Sequence, residues 1–220
     1  IIAAKLIGKN TADFEELLLT IQNSVVNNTS AKAALDIALH DLVAKSMHQP
    51  LYKFLGGGKP ELKILTTVSV KAVAEMVEDA QLFVAQGFET LKIKVGLNPA
   101  EDIQRLKAIR EAVGDSISIL SDANQGWDAK SALQIIDSLA AQNLGIAMVE
   151  QPVKAWDYAN LKYVRDNSRI PIYADESAFN LRDVSKIIQA QMADGINIKL
   201  MKSAGLYAAR PIYDLATSHN

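Results

Sequence analysis

Five charged residues recur along this chain at nearly even intervals, and each closes a short apolar run. Lys94 lies in TLKIKVG, Asp122 in SDANQGW, Glu150 in VEQP, Asp175 in ADES and Lys199 in NIKLMK, spaced 28, 28, 25 and 24 residues apart. A helical pattern follows each one. The spacing predicts repeated strand-helix units, each presenting one chemical group at the carboxyl end of its strand. In a parallel α/β barrel those ends converge on one rim.

Upstream of this rhythm the pattern is helical. Residues 11–24 and 30–47 predict two helices. The second carries Ala34, Leu35, Ile37, Ala38, Leu42 and Val43 as its apolar stripe and Ser30 as its N-cap. Pro50, Gly56, Gly57, Gly58 and Pro60 end the segment, and a domain boundary is expected there. From residue 62, strands predicted at 64–70, 91–95, 117–120, 145–150, 170–175 and 195–200 alternate with helices. The helices cover 71–86, a stretch from Asn98, 128–142, 157–166, 181–191 and 205–217. Gly87 reads as a C-cap. Asn98 reads as an N-cap, with Pro99 at the first helical position and Glu101 completing a capping box. Pro211 is expected to kink or shorten the last helix. Successive units of this kind lay their strands side by side in parallel. A closed barrel needs eight strands and about 250 residues, more than residues 62–220 supply. Either the sheet is open or the last units lie in sequence not present. The missing initiator Met makes truncation at both ends the simpler expectation.

Composition narrows the classes. Hydrophobic residues make up 49% of the 220, enough for a core, and the net charge of −2 with mixed signs gives no nucleic-acid footprint. The absence of Cys removes disulfides and thiolate metal sites and fits a reducing, cytoplasmic compartment. No apolar run approaches the roughly 18 residues of a membrane span. The opening IIAAKLIGKN lacks the basic region and cleavage site of a signal peptide.

The chemistry concentrates at the predicted strand ends. Strand side chains alternate between faces, so Lys92 and Lys94 share one. Two ammonium groups this close repel, and each is expected at a lowered pKa, as a lysine general base requires. The plainer reading is a lysine facing solvent at the end of a strand. Asn124 falls on the side of Asp122 if the chain stays extended. A helix N-cap or a salt bridge accounts for any one of Asp122, Glu150 and Asp175. Three on consecutive buried strands call for a hard divalent cation, and an oxygen-only set favours Mg2+ over Zn2+. In a closed barrel, Lys94 and Lys199 would face a substrate carbon from opposite sides. That suits removal of a proton α to a carboxylate and its return to the other face. The metal and Lys92 would stabilise the enediolate between the two steps. A surface lysine is the alternative for Lys199. His40, His48 and His219 read as packing or capping residues. Trp127 either lines the pocket or covers the rim.

KIK, DANQGW, VEQP, ADES and NIKLMKSAG, in this order and spacing, resemble the muconate-lactonizing branch of the enolase superfamily, and within it the dipeptide epimerases. AALDIALHDLVAKSMHQPLYKFLGG resembles that family's capping-domain helix and its link to the barrel. The resemblance runs from about residue 31 to residue 205. It implies an α/β chain: a (β/α)8-type barrel, represented by about six strand-helix units over 61–220, after a helical part of a capping domain over 1–60. It implies Asp122, Glu150 and Asp175 as Mg2+ ligands, Lys94 and Lys199 as the acid/base pair, and Lys92 as support for the enolate. Asn124 and Glu176 become candidates for supporting positions beside the ligands. Lysine bases beside Mg2+ are the pattern of such sites. The implied reaction is epimerisation of a small-molecule dipeptide by 1,1-proton transfer. The implied partners exclude nucleic acid and membrane and include further copies of the chain. The family's N-terminal capping strands and its seventh and eighth barrel strands have no counterpart. The eighth carries an Asp-x-Asp motif for the substrate's amino group. Ser121 before Asp122, SAG in place of a double glycine, and Pro211 also depart from the pattern.

Three other readings remain open at this level. One is a different enolase-type reaction: racemisation, cycloisomerisation or dehydration of a carboxylate. A second is a Schiff-base aldolase with Lys94 or Lys199 as nucleophile, which leaves the converging carboxylates without purpose. The third is a barrel-derived chain that only binds or assembles, with two sheet edges exposed.

Overall fold

A computed structural model of the chain describes residues 1–58 and 61–219. Pro60, part of the predicted segment end, lies outside the described residues. After a 3-10 turn at Ala3–Lys5 come helices α1 (Phe14–Gln22), α2 (Thr29–Ser46) and α3 (Leu51–Phe54). Strands and helices then alternate: β1 (Thr66–Val68), α4 (Val73–Ala85), β2 (Thr90–Lys94), α5 (Pro99–Val113), β3 (Ser118–Asp122) and α6 (Ala129–Ala141). The series continues with β4 (Ile146–Glu150), α7 (Tyr158–Asn167), β5 (Ile172–Ala174), α8 (Leu181–Gln189) and β6 (Gly195–Ile196), and ends with α9 (Leu200–Ser203) and α10 (Leu206–Ser218). Among the described residues no helix is long and apolar enough to cross a membrane. The chain divides into two compact units, one of Ile1–Glu61, Phe179–Ser185 and Ile198–Asn220, the other of Leu62–Ala178 and Lys186–Asn197.

The second unit holds a single six-stranded sheet in the order β1-β2-β3-β4-β5-β6, every pair parallel. All six predicted strand-helix units are present. β1 and β6 are shorter than predicted because each is an edge with one hydrogen-bonded neighbour. Leu91, Ile93, Ile119, Val149 and Ile172 are fully buried on one face of the sheet. Leu106 and Ile109 of α5, Ile135 and Ile136 of α6 and Leu161 of α7 are fully buried as well. The register between β3 and β4 shifts after Ile119, so that Leu120 pairs with Met148 and Ala147 is passed over. Such a bulge reverses which residues face each side, and it places Val149 on the buried aliphatic face and Glu150 on the other.

Local signals explain the helix ends. Asn98 accepts hydrogen bonds from the N–H groups of Ala100 and Glu101 and caps α5, with Pro99 at its start. The capping box differs from expectation, because Glu101 turns its carboxylate to Arg105, 2.8 Å away. Gly87 sits one residue past the cap of α4 at φ +93. Its N–H reaches the Val84 carbonyl and that of Phe88 the Phe83 carbonyl, while the Phe83 and Phe88 rings meet edge to face. That is a Schellman ending with its apolar contact.

In the first unit α1 packs on α2 through Leu17, Leu18, Ile21, Leu39 and Val43. The buried face of α2 only partly matches the predicted stripe: Val43 is buried and Leu35 packs on the core, but Ala34, Ala38 and Leu42 are exposed, while Asp36 and His40 are buried. A count of apolar residues misses a face on which two polar groups satisfy each other. Ser30 lies inside the first turn, and Asn28 occupies the cap position. The Asp36 carboxylate accepts the N–H of Leu206 at 2.7 Å and that of Tyr207 at 3.4 Å, so it caps α10 from another helix. Gly205 has φ +112, and a Cβ there would run into the Asp36 carboxyl group. Pro211 does not shorten α10, which runs on to Ser218 with Ala209 and Ile212 buried. Ala204 occupies the left-handed region at φ 65, ψ 30, where a side chain is disfavoured.

Two outcomes follow from this unit. Ala204→Gly is expected to raise stability by about 0.5–1 kcal/mol in urea unfolding, since relief of the left-handed strain exceeds the added chain entropy. His40 Nδ1 lies 2.9 Å from the Asp36 carbonyl and 3.2 Å from its carboxylate. Burial lowers the imidazolium's pKa, but the hydrogen bonds to Asp36 and the charge of its carboxylate outweigh burial and raise it above 6.5. The pair's stabilisation is therefore full below the unfolded-state pKa and lost as pH rises through the folded-state value. The stability gap between the wild type and His40→Gln should be widest below about pH 6.5 and narrow as pH rises above it.

Candidate active site and metal centre

Parallel pairing sets Lys94, Asp122 and Glu150 opposite one another as the last residues of β2, β3 and β4. Asp175 follows the end of β5 by one residue. Asp122, Glu150 and Asp175 are buried, and one carboxylate oxygen from each lies within 4.8 Å of the others. Lys92 Nζ stands 2.7 Å from Asp122 Oδ2 and 2.8 Å from Glu150 Oε1. Lys94 Nζ is 2.7 Å from the same Asp122 oxygen and also donates to Asn124 Oδ1. Asn197, just past β6, donates its Nδ2 to Glu150 Oε1 at 2.8 Å.

The electrostatics correct one expectation. Lys92 is not lowered by Lys94. Burial does lower it, but the hydrogen bonds to Asp122 and Glu150 and the charges of both hold its pKa above the usual lysine value. Two carboxylates in direct contact outweigh one neighbouring ammonium. The acids respond in opposite directions. Burial raises the Asp122 carboxyl, yet hydrogen bonds from Lys92 and Lys94 bring it below the ordinary range. Glu150 is raised by burial and by the Asp122 charge, against Lys92 and Asn197. A buried set made of carboxylate oxygens from three acids fits a hard divalent cation.

The supporting residues are partly as expected. Asn124 reaches Lys94 although the chain does not stay extended, since it turns at φ 42. Its N–H donates to Asp122 Oδ1 at 2.9 Å and its Nδ2 to Glu176 Oε1 at 3.0 Å. Glu176 Oε2 is buried with no hydrogen-bond partner. Lys199 does not end a strand: β6 stops at Ile196, and Lys199 is the N-cap residue of α9, in the other compact unit. Trp127 is buried, and its Nε1 donates to Asp102 Oδ2 at 3.0 Å. His48 and His219 stay outside the cluster; His219 hydrogen-bonds within the last turn of α10.

Sequence reasoning missed three residues. Asp102, fully buried in α5, accepts from Gly96 N–H at 2.8 Å, from Trp127 and from Arg105. It ties the loop after β2 to the loop after β3. The acidic first turn that signals a helix start hides it. Asn197 stands inside the NIKLMK motif, where the lysine drew the attention. Gln151, in VEQP, is fully buried and bonded on every side. Two glycines let the same loops meet: a Cβ on Gly96 would strike the Ala123 carbonyl, and one on Gly126 would strike the Gly96 backbone.

A parallel sheet covered by helices, with acids and lysines gathered at its strand ends, defines an α/β scaffold of the barrel type built around a carboxylate centre. Residues 75–220 match the family described as enolase C-terminal domain-like, and residues 1–56 match the mandelate racemase / muconate lactonizing enzyme N-terminal domain. The chain belongs to this family of the enolase superfamily. It is 45% identical over 215 residues to the L-Ala-D/L-Glu epimerase of Clostridium acetobutylicum, covering 98% of this chain and 60% of that protein. The structure of the substrate-liganded L-Ala-D/L-Glu epimerase from Bacillus subtilis superposes with a TM-score of 0.96 at 44% identity, over 100% of this chain and 61% of that one. The dipeptide epimerase from Cytophaga hutchinsonii, solved with Mg and the dipeptide D-Ala-L-Val, gives 0.92 at 40% identity, over 97% and 58%. The chain thus spans about 60% of the length of the curated relatives it matches.

Gly126→Ala is expected to cost about 3 kcal/mol in urea unfolding, because the atom it meets is backbone and cannot rotate away.

Proposed function

We propose that this chain carries the metal- and lysine-bearing part of an Mg2+-dependent epimerase that inverts the carbon α to a carboxylate in a dipeptide. The observation that supports it most is the buried Asp122–Glu150–Asp175 cluster at consecutive parallel strand ends, held by Lys92 and Lys94. In this reading the three acids hold Mg2+, which when bound offsets charge building on the substrate carboxylate. Lys92 is 10% exposed at its side chain and shared by two acids, which suits a fixed cation rather than a moving base. Lys94 is 27% exposed and aimed by Asp122 and Asn124, so its Nζ is the group that meets the α-proton. In its neutral form it takes that proton and leaves an enediolate. Lys199 is assigned the return of a proton to the opposite face, on the strength of its motif and the named activity of the relatives. Asn124 and Glu176 orient Lys94 and the acids through their hydrogen bonds.

The dipeptide substrate is taken from the relatives' named activities and bound ligands. The same proposal assigns residues 1–60 to part of a capping domain and 61–220 to part of the barrel, in keeping with the two family matches. A cytoplasmic location and assembly with further copies of the chain belong to it as well.

The test follows the α-proton. In D2O with Mg2+, L-Ala-containing dipeptides should exchange deuterium at the C-terminal residue's α-carbon. Lys94→Ala and Lys199→Ala should each abolish epimerisation, with exchange surviving from one stereoisomer at most. Undiminished epimerisation in both variants would refute the two-base reading.

A further inference from the structure

Gln151 follows Glu150 directly and is fully buried. Its backbone turns at φ 40, outside the comfortable range of a non-glycine residue. Such a conformation persists only where surrounding bonds hold it, and here they do. The Gln151 N–H donates to the Tyr173 carbonyl and its carbonyl accepts from Gln125 N–H, both at 2.8 Å. The side-chain Oε1 accepts from the N–H groups of Asp175 at 2.9 Å and Ser177 at 3.0 Å. The side-chain Nε2 donates to the Val153 carbonyl at 2.9 Å and to Ser177 Oγ at 2.8 Å. Both lone pairs and both protons of the amide are used.

The placement of these bonds is more telling than their number. β5 ends at Ala174, and the paired register between β4 and β5 stops at Glu150 and Tyr173. The turn at Gln151 carries the main chain away from β5, so no β4 carbonyl remains for the Asp175 N–H. The side-chain amide oxygen takes that carbonyl's place and extends the ladder by one rung. Gln151 thereby bonds the chain just past Asp122 through Gln125, adjoins Glu150, and grips Asp175 by its own N–H. One residue ties together the backbones that carry all three acids.

We propose that Gln151 is the positioning residue of the carboxylate cluster, its side-chain amide setting Asp175 against Asp122 and Glu150 so that cation affinity depends on it. The proposal rests on the metal-binding reading above. Groups that orient metal ligands typically change affinity by about 10–100-fold when removed.

The experiment measures Mn2+ binding to the purified protein by electron paramagnetic resonance, with unfolding by urea measured alongside. Gln151→Met keeps the length of the side chain and removes its hydrogen bonds; at least about a tenfold loss of Mn2+ affinity is expected. Val164→Ala, a packing change in α7, should lower stability and leave affinity within about twofold. Equal loss in both variants would reduce Gln151 to a general structural role, and unchanged affinity in Gln151→Met would overturn the proposal outright. Should Gln151→Met fail to fold, Ser177→Ala decides instead: it removes one anchor of the amide and is expected to weaken Mn2+ several-fold, and no weakening overturns the proposal. A wild-type protein that does not bind Mn2+, or an Asp122→Asn variant that binds it equally well, would remove the metal reading itself.

Discussion

Lys92 bridging Asp122 and Glu150 is the contact on which the rest of the site depends. Each buried ion costs several kcal/mol to take out of water. The pairing offsets that cost only because the groups arrive within hydrogen-bond distance from three different strands. Parallel register delivers them. A one-residue slip of β2 against β3 would turn Lys92 and Lys94 to the face that Leu91 and Ile93 now fill, and would take both lysines away from Asp122 and Glu150. Register and charge are therefore one constraint, and the bulge in β4 serves both, since it puts Glu150 on the charged face.

Beyond the last ladder bond the backbone has to leave each strand without leaving polar groups stranded. It does so by sharp turns. Asn124, Gln125 and Gln151 all adopt positive φ. Gly96 and Gly126 allow two loops to touch main chain to main chain. Asp102 accepts the Gly96 N–H and the Trp127 indole N–H from those two loops, and Gln151 replaces a missing carbonyl. The residues that carry chemistry stand on strand ends, and those that hold the ends are the less conspicuous neighbours in the same short motifs.

The helical unit shows the same economy at Asp36, which neutralises His40 on its own helix and caps α10 at once. The close approach requires Gly205, whereas Ala204 beside it holds a strained conformation that a second glycine would relax. The departure from a double glycine is thus a difference in backbone strain and leaves the chain path intact. Pro211 is tolerated in a similar way, within a helix anchored by burial on either side of it.

Much was legible beforehand. Element order and the identity of the charged residues at the ends of β2 to β4 follow from local periodicity, because a period of two or of 3.6 residues is a property of neighbouring positions; the bulge that sets the faces of β4 does not. So do the caps at Asn98 and Gly87. Short edge strands, the rotated face of α2 and the N-cap place of Lys199 were not legible, because each depends on which partner is or is not alongside. The sequence by itself determined which groups would gather at the ends of a parallel sheet. Only the tertiary structure decided their balance of charge: against its burial, Lys92 is held cationic by Asp122 and by a glutamate 58 residues away, and no window along the chain brings the three together.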